Sequence, residues 1–410
     1  MTITQLDPAD SAAMGQWYDL MVAVTRHDLP DLPTPSRQEH MARFEHPWPT
    51  LTEEALLAWD ADRVVGAASY LLPQAENLRM VYLELIVYPQ HRRRGIGTRL
   101  LKEVYAAARR HHRSLIEIQT VRALPGGVAR DEAGYRYLTN RAHQPGVTSI
   151  RSRCQIADHS GGDEATLAEA WTHADGYSLV QWRDAVPEEI IEDVAALQSR
   201  LMLDALTGDL AVEQELYDAD RVRGQEATQL GRGHRWYSTA ARHDATGQIV
   251  ARTKLSFEAN DDTHARQRVT IVAPAHRGRR LGLIVKSANH AYTRAHEPAL
   301  CVIDAWNAEE NTHMRASTPC SASSRWTAGR SSNCRCRLRN HNPARRTLMP
   351  RCIHGRNHWL PAVVHPENLV HVQRVGGLVR PLLWDEGLRR GSAAGLGPHP
   401  SAPAAGPYAA

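Results

Sequence analysis

The hydrophobic pattern is most regular between Leu83 and Lys102, in the stretch LELIVYPQHRRRGIGTRLLK. The apolar run at 83–87 has the length of a buried strand, and Pro89 ends it because proline cannot donate to a sheet ladder. From residue 96 to residue 108, apolar side chains recur every three or four positions, which is typical of one face of a helix. The pattern therefore predicts a strand, a turn, a glycine-containing loop and a helix.

The loop between this strand and helix carries candidate chemistry. Three arginines, at 92–94, precede the sequence Gly95-Ile96-Gly97. Glycines at the N-terminus of a helix let the backbone approach a ligand closely, and the unpaired N–H groups there favour an anion. We name residues 92–98 the first glycine loop, and we expect it to bind a pyrophosphate.

A dinucleotide-binding site is one alternative for this loop. That fingerprint requires G-x-G-x-x-G, whereas Leu100 stands at the third glycine position and the arginines precede the glycines. Glu117 does lie at about the distance expected of a ribose-binding acid, so the sequence leaves this alternative open.

The order Arg-x-x-Gly-x-Gly, after an apolar strand and V-x-P-x-x-R, resembles the acyl-coenzyme A loop of the GCN5-related N-acetyltransferases (GNAT). Arg92, Gly95 and Gly97 occupy the Q/R-x-x-G-x-G/A positions. The resemblance implies a mixed α/β fold in which coenzyme A lies between two splayed central strands. It also implies acetyl-CoA as co-substrate. Charge-assisted contacts to phosphate are expected from the side chain of Arg92.

An internal repeat extends the resemblance. VAPAHRGRRLGLIVK (272–286) matches VYPQHRRRGIGTRLLK, with Gly282 at the position of Gly97 and Arg280 at that of Gly95. Arg280 could crowd a pyrophosphate or contact it through its side chain, and both readings stay open. The chain thus resembles the tandem acetyltransferases of actinobacteria, the group that includes mycothiol synthase.

The repeat predicts three segments. Residues 1–158 form an N-terminal acetyltransferase domain, residues 159–314 a degenerate second copy, and residues 315–410 an irregular tail. The N-x-x-M element of the resembled family is Asn311 to Met314 in this chain. In the relatives, this element is followed by a helix and a V-N-x-x-L-G-F turn. A legal choice of codons for Ala316 to Arg330, read from the third nucleotide, encodes Val-Asn-Thr-Leu-Leu-Gly-Phe. The tail is therefore either a frameshifted product or a disordered Pro/Gly/Ala-rich extension. On the frameshift reading the second domain also lacks its closing strands, so its sheet edge should be exposed.

Acyl transfer to an amine requires a base, an oxyanion site and an acid for the leaving thiolate. Glu84, on the central strand, is the predicted base, with a strand ion pair as the alternative. Tyr135 is the acid that the resemblance implies, with a core aromatic as the alternative, and Tyr137 is nearby. The backbone N–H groups of residues 85–87 are the predicted oxyanion donors. The residues predicted to contact the coenzyme are Leu85, Ile86, Val87, Arg92, Arg93, Arg94, Gly95, Ile96, Gly97 and Thr98.

Composition and charge limit the remaining classes of function and location. A net charge of +4 is too small to predict nucleic-acid binding, and no apolar run of about 18 residues predicts a membrane span. The N-terminus lacks the pattern of a secretory signal, so we expect a cytoplasmic protein. The spacing of Cys334, Cys336, Cys352 and His354 is not a standard zinc pattern, so no metal is expected.

The sequence thus predicts an enzyme that transfers an acetyl group from acetyl-CoA to an amine, with a small molecule as the acceptor. The alternative is an idle tandem domain that binds coenzyme A as a sensor or scaffold. The oligomeric state and the identity of the acceptor are not encoded in any motif of the chain.

Overall fold

The computed structural model describes residues 1–141, 144–156, 162–204, 213–309 and 329–337. The N-terminal half contains β1 (Thr2–Gln5), α1 (Ser11–Asp28), α2 (Arg37–Ala42), β2 (Leu51–Asp60), β3 (Arg63–Pro73), β4 (Met80–Val87), α3 (Ile96–Arg110), β5 (Leu115–Ala123), α4 (Ala133–Thr139) and β6 (Gln144–Gln155). The C-terminal half contains α5 (Gly162–Trp171), β7 (Tyr177–Arg183), α6 (Ile191–Asp204), α7 (Ala219–Gly231), β8 (Arg235–His243), β9 (Ile249–Phe257), β10 (His264–Val272), α8 (Leu281–His296), β11 (Val302–Ala308) and β12 (Gly329–Arg337). None of the described helices combines the length and the apolar content needed to cross a bilayer.

The described strands join in one 12-stranded sheet of order β1-β2-β3-β4-β5-β12-β6-β11-β10-β9-β8-β7. Strands β1 to β4 are antiparallel neighbours, and β4 pairs with β5 in parallel. Strands β7 to β10 repeat the antiparallel pattern, and β10 pairs with β11 in parallel. The predicted α/β class, with two copies of one mixed-sheet arrangement and flanking helices, is confirmed.

The two central strands of the N-terminal half separate part-way along their length. Their parallel ladder runs only from the pair Met80↔Leu115 to the pair Leu83↔Ile118. Beyond Leu83, β4 continues to Val87 with hydrogen bonds to β3 alone. An opening therefore forms beside the last four residues of β4, where the resemblance places the coenzyme.

Each half-sheet is covered by helices on both faces, because side chains along a strand alternate in direction. On one face of the N-terminal half, Leu83 and Leu85 pack in a buried cluster with Leu100 of α3. On the opposite face, Ile86 packs in a cluster with Trp17 of α1. Glu84 lies between Leu83 and Leu85 in sequence, so its side chain is directed to the α1 face.

Strand β6 joins the two halves. It pairs with β11 in antiparallel register from Gln155↔Val302 to Ser149↔Ala308. The exposed edge that the frameshift reading predicted for the second domain is therefore wrong. The backbone N–H and C=O groups along this edge of β11 are paired with β6, a strand of the N-terminal half. The sequence of β6 showed no strand pattern.

Strand β12 lies between β5 and β6 and is antiparallel to both. No regular structure was predicted after Met314, and this prediction is wrong for residues 329–337. The edges of β5 and β6 offer backbone N–H and C=O groups to a strand placed between them. Backbone pairing with these edges does not require an apolar pattern in β12. Residues 310–328 and 338–410 lie outside the described residues; they include most of the segment of the frameshift prediction, and Cys352 and His354 of the cysteine prediction, whereas Cys334 and Cys336 lie in β12. The frameshift stays a prediction.

Candidate active site

The first glycine loop has the backbone form of an anion-binding site. After a 3-10 turn at Pro89–His91, Arg93 and Gly95 adopt positive φ angles of 66° and 79°. Helix α3 then begins, and its first helical hydrogen bond runs from Arg99 N–H to Gly95 O at 3.1 Å. The N–H groups of residues 96–98 consequently have no acceptor within the helix, and no side chain caps this terminus. These donors and the helix dipole favour a phosphate.

The three arginines of the loop have different environments. Arg93 and Arg94 are exposed, as is Thr98, so their side chains can reach an anion at the loop. The Arg92 side chain is buried, with 1% of its surface exposed. It donates to Asp28 at 2.9 and 2.5 Å, to Asp131 at 2.9 Å and, through Nε, to Val87 O at 3.2 Å. The expected phosphate contact of this side chain is therefore corrected: Arg92 braces the loop against α1 and the end of β4.

Asp28 and Asp131, the two carboxylate partners of Arg92, were not predicted from the sequence. Together with His27 they present three ligand-type atoms within 4.8 Å of one another. Both carboxylates bind the Arg92 guanidinium, so a cation already occupies the position that a metal would take. Local sequence carried no signal for this cluster, because its members come from α1, the loop and the segment before α4.

The second glycine loop, residues 277–283, repeats the backbone form of the first. Gly278 and Arg280 adopt φ angles of 81° and 55°, and α8 begins directly afterwards. Arg277 Nε donates to Val272 O at 3.1 Å, as Arg92 Nε does to Val87 O. The Arg280 side chain forms an ion pair with Glu169 of α5. The loop shape thus persists without the glycine, although a left-handed conformation costs a non-glycine residue about 1–2 kcal/mol.

Glu84 is buried on the part of β4 that has separated from β5, with 7% of its surface exposed. Its Oε1 atom has no hydrogen-bond partner among the described residues. Burial raises the pKa of this carboxyl from 4.5 to about 7; Arg43 opposes the rise and Glu53 adds to it. Arg43 is itself held by Glu53 at 2.5 Å. A carboxyl with a pKa close to neutrality can accept a proton from a substrate and release it again.

The two tyrosines of α4 differ in their hydroxyl partners. Tyr135 is half-buried, with the Arg122 guanidinium 4.2 Å from its ring centroid. Its hydroxyl makes no hydrogen bond among the described residues. Tyr137 is buried, and its hydroxyl lies 3.1 Å from Thr98 Oγ1 at the start of α3. Burial raises the pKa of Tyr137. Tyr137 therefore ties α4 to the glycine loop, and Tyr135 retains a hydroxyl that a ligand can use.

The predicted oxyanion donors lie on the separated end of β4. Residues Leu85, Ile86 and Val87 pair with Ala68, Ala67 and Gly66 of β3. In an antiparallel pair, alternate residues direct their N–H groups to the partner and the others direct them away. Because β5 is not paired here, the second set of N–H groups faces the opening between the central strands.

One segment of the chain matches a family model. Residues 21–124 match the model of the Acetyltransferase (GNAT) family. This segment includes β4, the first glycine loop and α3, and ends just after β5. No protein of curated function matches the sequence.

Several solved structures resemble this chain over about four-fifths of its length. A tandem GNAT protein from the clavulanic acid biosynthesis pathway is 27% identical, with a TM-score of 0.65 over 81% of this chain and 98% of that one. A GCN5-related N-acetyltransferase from Sphaerobacter thermophilus is 15% identical, with a TM-score of 0.52 over 82% of this chain and 95% of that one. The resemblance to the clavulanic acid pathway protein extends the tandem GNAT arrangement across both halves of this chain. The resemblance to the Sphaerobacter thermophilus protein supports the fold.

Proposed function

We propose that this acyltransferase, whose residues 21–124 form a GNAT-family acetyltransferase domain, transfers an acetyl group from acetyl-CoA to the amine of a small molecule. The reaction is assigned to the N-terminal half. The choice of acetyl-CoA as the acyl donor and of a small-molecule amine as the acceptor is part of this proposal. The proposal also includes kinship with the actinobacterial tandem acetyltransferases, the group that includes mycothiol synthase.

The observation that carries the proposal is the environment of Glu84. The carboxyl is buried beside the opening between β4 and β5, has one oxygen without a hydrogen-bond partner among the described residues, and has its pKa raised to about 7. Removing a proton from an ammonium group requires a base of about this strength near neutral pH. The alignment that pairs Pro89 with Pro274 puts Val269 at the position of Glu84, so the second half lacks this base.

Each step of the transfer has a residue assigned to it. The N–H groups of residues 96–98, with Arg93 and Arg94, hold the pyrophosphate. Glu84 takes a proton from the acceptor ammonium, directly or through water, and the free amine then attacks the thioester carbonyl. N–H groups of Leu85–Val87 stabilise the oxyanion as the C–N bond forms. Tyr135 gives its phenolic proton to the thiolate as the C–S bond breaks, and it regains a proton from the nitrogen of the adduct, directly or through water, so that the neutral amide is released.

The test is turnover of acetyl-CoA with a panel of small-molecule amines, comparing the parent with Glu84→Gln and Glu54→Gln. Glu54 is a matched control, because its carboxylate accepts a hydrogen bond from Tyr70 and pairs with His111. We expect Glu84→Gln to lower kcat by roughly 10²–10⁴-fold, the usual contribution of a general base, with an unchanged Kd for acetyl-CoA. Glu54→Gln should retain activity.

Two results would contradict the proposal. Equal rates for Glu84→Gln and the parent between pH 6 and 9 would remove Glu84 from the mechanism. Tight binding of acetyl-CoA without turnover of any amine would favour the alternative, a coenzyme A-binding sensor or scaffold.

A further inference from the structure

The loop between α2 and β2 contacts both halves of the chain. Within the N-terminal half, Met41 of α2 and Phe44 of the loop pack with Trp17 in the cluster on the α1 face of the sheet. From the C-terminal half, the turn between α7 and β8 donates hydrogen bonds to the loop. We call residues 43–50 the α2–β2 loop and residues 228–234 the α7–β8 corner.

The α7–β8 corner binds the backbone of the α2–β2 loop at three carbonyl groups. Arg232 donates through Nε to His46 O at 2.8 Å and through Nη2 to Arg43 O at 2.9 Å. Thr228 Oγ1 donates to Pro47 O at 2.7 Å. Because the loop forms neither a helix nor a strand, its path depends on contacts of this kind.

Close packing accompanies these hydrogen bonds. Arg232 is buried, with 5% of its surface exposed. A Cβ atom at Gly231 would collide with the His46 ring, so the backbone of the corner lies directly against the loop. His234 Nε2 lies 3.2 Å from Glu39 Oε2, which connects the corner to α2 as well. The corner therefore holds the loop and the helix before it.

The side chain of Arg43 extends from this loop to the Glu84 site. Its Nη2 lies 2.5 Å from Glu53 Oε1, and Ser69 Oγ donates to the same oxygen at 2.7 Å. Ser69 of β3 is the register partner of Glu84, and side chains at paired positions lie on the same face of a sheet. Arg43 is thus bound by Arg232 at its backbone and by Glu53, beside Glu84, at its guanidinium.

Arg43 supplies the positive charge that acts on Glu84. Burial raises the pKa of Glu84 to about 7, and Arg43 opposes this rise. The Nε atom of Arg43 has no hydrogen-bond partner among the described residues, so the guanidinium is held by Glu53, by the ring of Trp17 at 4.5 Å and by the position of its own backbone. A displaced loop would therefore carry this charge away from Glu84.

Other ionisable groups surround this pair on every element packed against it. They are Glu53 of β2, Glu39 and His40 of α2, Glu117 of β5, and Arg232 and His234 of the α7–β8 corner. Burial lowers the pKa of His40 to about 3, so His40 is neutral. Because several of these groups are charged, the ionisation of Glu84 has to be measured by comparison with a Glu84→Gln counterpart.

We propose that Arg232 is a positioning residue for the acetyl-transfer site, which holds the α2–β2 loop so that Arg43 remains beside Glu53 and Glu84. The inference rests on the proposed function, because it concerns the same base. Without this support Glu84 would lose the cation that favours its ionised form, its pKa would rise, and less of the base would be available at neutral pH. The half that lacks a base of its own thus supports the base of the other half.

The test is the ionisation of Glu84 in the full chain, measured with and without turnover. The free energy of unfolding of each protein, compared with that of its Glu84→Gln counterpart between pH 4 and 9, gives the pH at which Glu84 ionises without any substrate. The acid limb of the kcat/KM profile reports the same group during acetyl transfer.

Arg232→Gln and Arg232→Lys should both move this ionisation to higher pH. Lysine keeps the charge but lacks the planar fork that spans two carbonyl groups, so a shift in Arg232→Lys identifies positioning and not charge alone. Arg43→Gln should raise the ionisation pH by about one unit or more, the effect of losing an opposite charge close to a carboxyl. Arg232→Gln should add no further shift to Arg43→Gln, because it acts through Arg43.

Arg235→Gln is the matched control, because Arg235 follows the α7–β8 corner but pairs with Glu297. It should leave the ionisation of Glu84 unchanged. Thr228→Val removes another hydrogen bond to the loop with little change in volume, and it should produce a smaller shift in the same direction even if the Arg232 variants fail to fold.

Two results would overturn the positioning role. One is an unchanged ionisation of Glu84 in both Arg232→Lys and Thr228→Val, and the other is an equal shift by Arg232→Gln in the presence and absence of Arg43. Full activity of Glu84→Gln, with the ionisation still shifted in the Arg232 variants, would instead show that the proposed base is wrong while Arg232 still positions Arg43.

Discussion

Arg92 and Asp28 form a bidentate ion pair that is closed to solvent, with Nη1–Oδ1 at 2.9 Å and Nη2–Oδ2 at 2.5 Å. Asp28 is the last residue of α1, and Arg92 is the first residue of the glycine loop. The pair therefore fixes the loop relative to a helix that packs on the opposite face of the sheet. An arginine that the motif suggested for ligand binding instead determines where the loop lies.

Arg92→Ala should act mainly through stability. Removing one partner of a buried ion pair typically costs about 3–5 kcal/mol, because the other charge remains buried alone. We expect a lower Tm, with weaker acetyl-CoA binding as a consequence of a displaced loop, and partial recovery of Tm in Arg92→Ala/Asp28→Asn. Arg94→Ala is the control: its exposed side chain should leave Tm unchanged and reduce the salt dependence of binding. An unchanged Tm for Arg92→Ala would contradict the bracing role.

Gly95 and Gly97 should respond differently to substitution. Gly95 has a φ of 79° and no atom within 4 Å of an added Cβ, so Gly95→Ala should cost about 1 kcal/mol of stability through backbone strain alone. Gly97→Glu would place a carboxylate among the N–H donors at the start of α3. We expect it to abolish acetyl-CoA binding in calorimetry.

The equivalent substitution Gly282→Glu reports on the second glycine loop. If only the first loop binds coenzyme, Gly282→Glu should leave the stoichiometry and the affinity unchanged. Unaltered binding in Gly97→Glu would mean that the pyrophosphate site has been misplaced.

Glu84 should make stability depend on pH. Its pKa rises from an ordinary 4.5 to about 7 on folding, so the folded state retains the proton to higher pH than the unfolded state. The stabilisation is complete below pH 4.5 and is lost as the pH rises through 7. Glu84→Gln cannot ionise, so it should be more stable than the parent at pH 8, by about 3 kcal/mol since each pKa unit is worth about 1.4 kcal/mol. Thermal unfolding of both proteins at pH 4.5 and pH 8 measures this stability difference. If the difference between Glu84→Gln and the parent does not grow with pH, the raised pKa of Glu84 is refuted.

Lys286 should have the opposite pH dependence. It is 2% exposed on α8, makes no hydrogen bond among the described residues, and burial lowers its pKa from 10.5 to about 8. Its charge destabilises the fold below pH 8, and the penalty disappears as the pH rises towards 10.5. Lys286→Met should therefore raise Tm at pH 7 and lose this advantage by pH 10. Lys102→Met, an exposed position on α3, should change Tm at neither pH.

The sequence alone determined the local elements and the loop. Apolar spacing predicted the β4 strand, the helix after it and the repeat of both, because these depend on contacts between residues close in the chain. Paired glycines at a helix start predicted the anion-binding backbone for the same reason. The position of Glu84 on the central strand also followed from the order of residues.

Tertiary structure decided what the local pattern could not express. Arg92 was assigned to phosphate because its partners, Asp28 and Asp131, are distant in sequence. The pairing of β6 with β11 was missed because backbone edges recruit strands across the chain without an apolar signature. Charge, burial and pKa depend on three-dimensional neighbours, and only the folded chain supplies them.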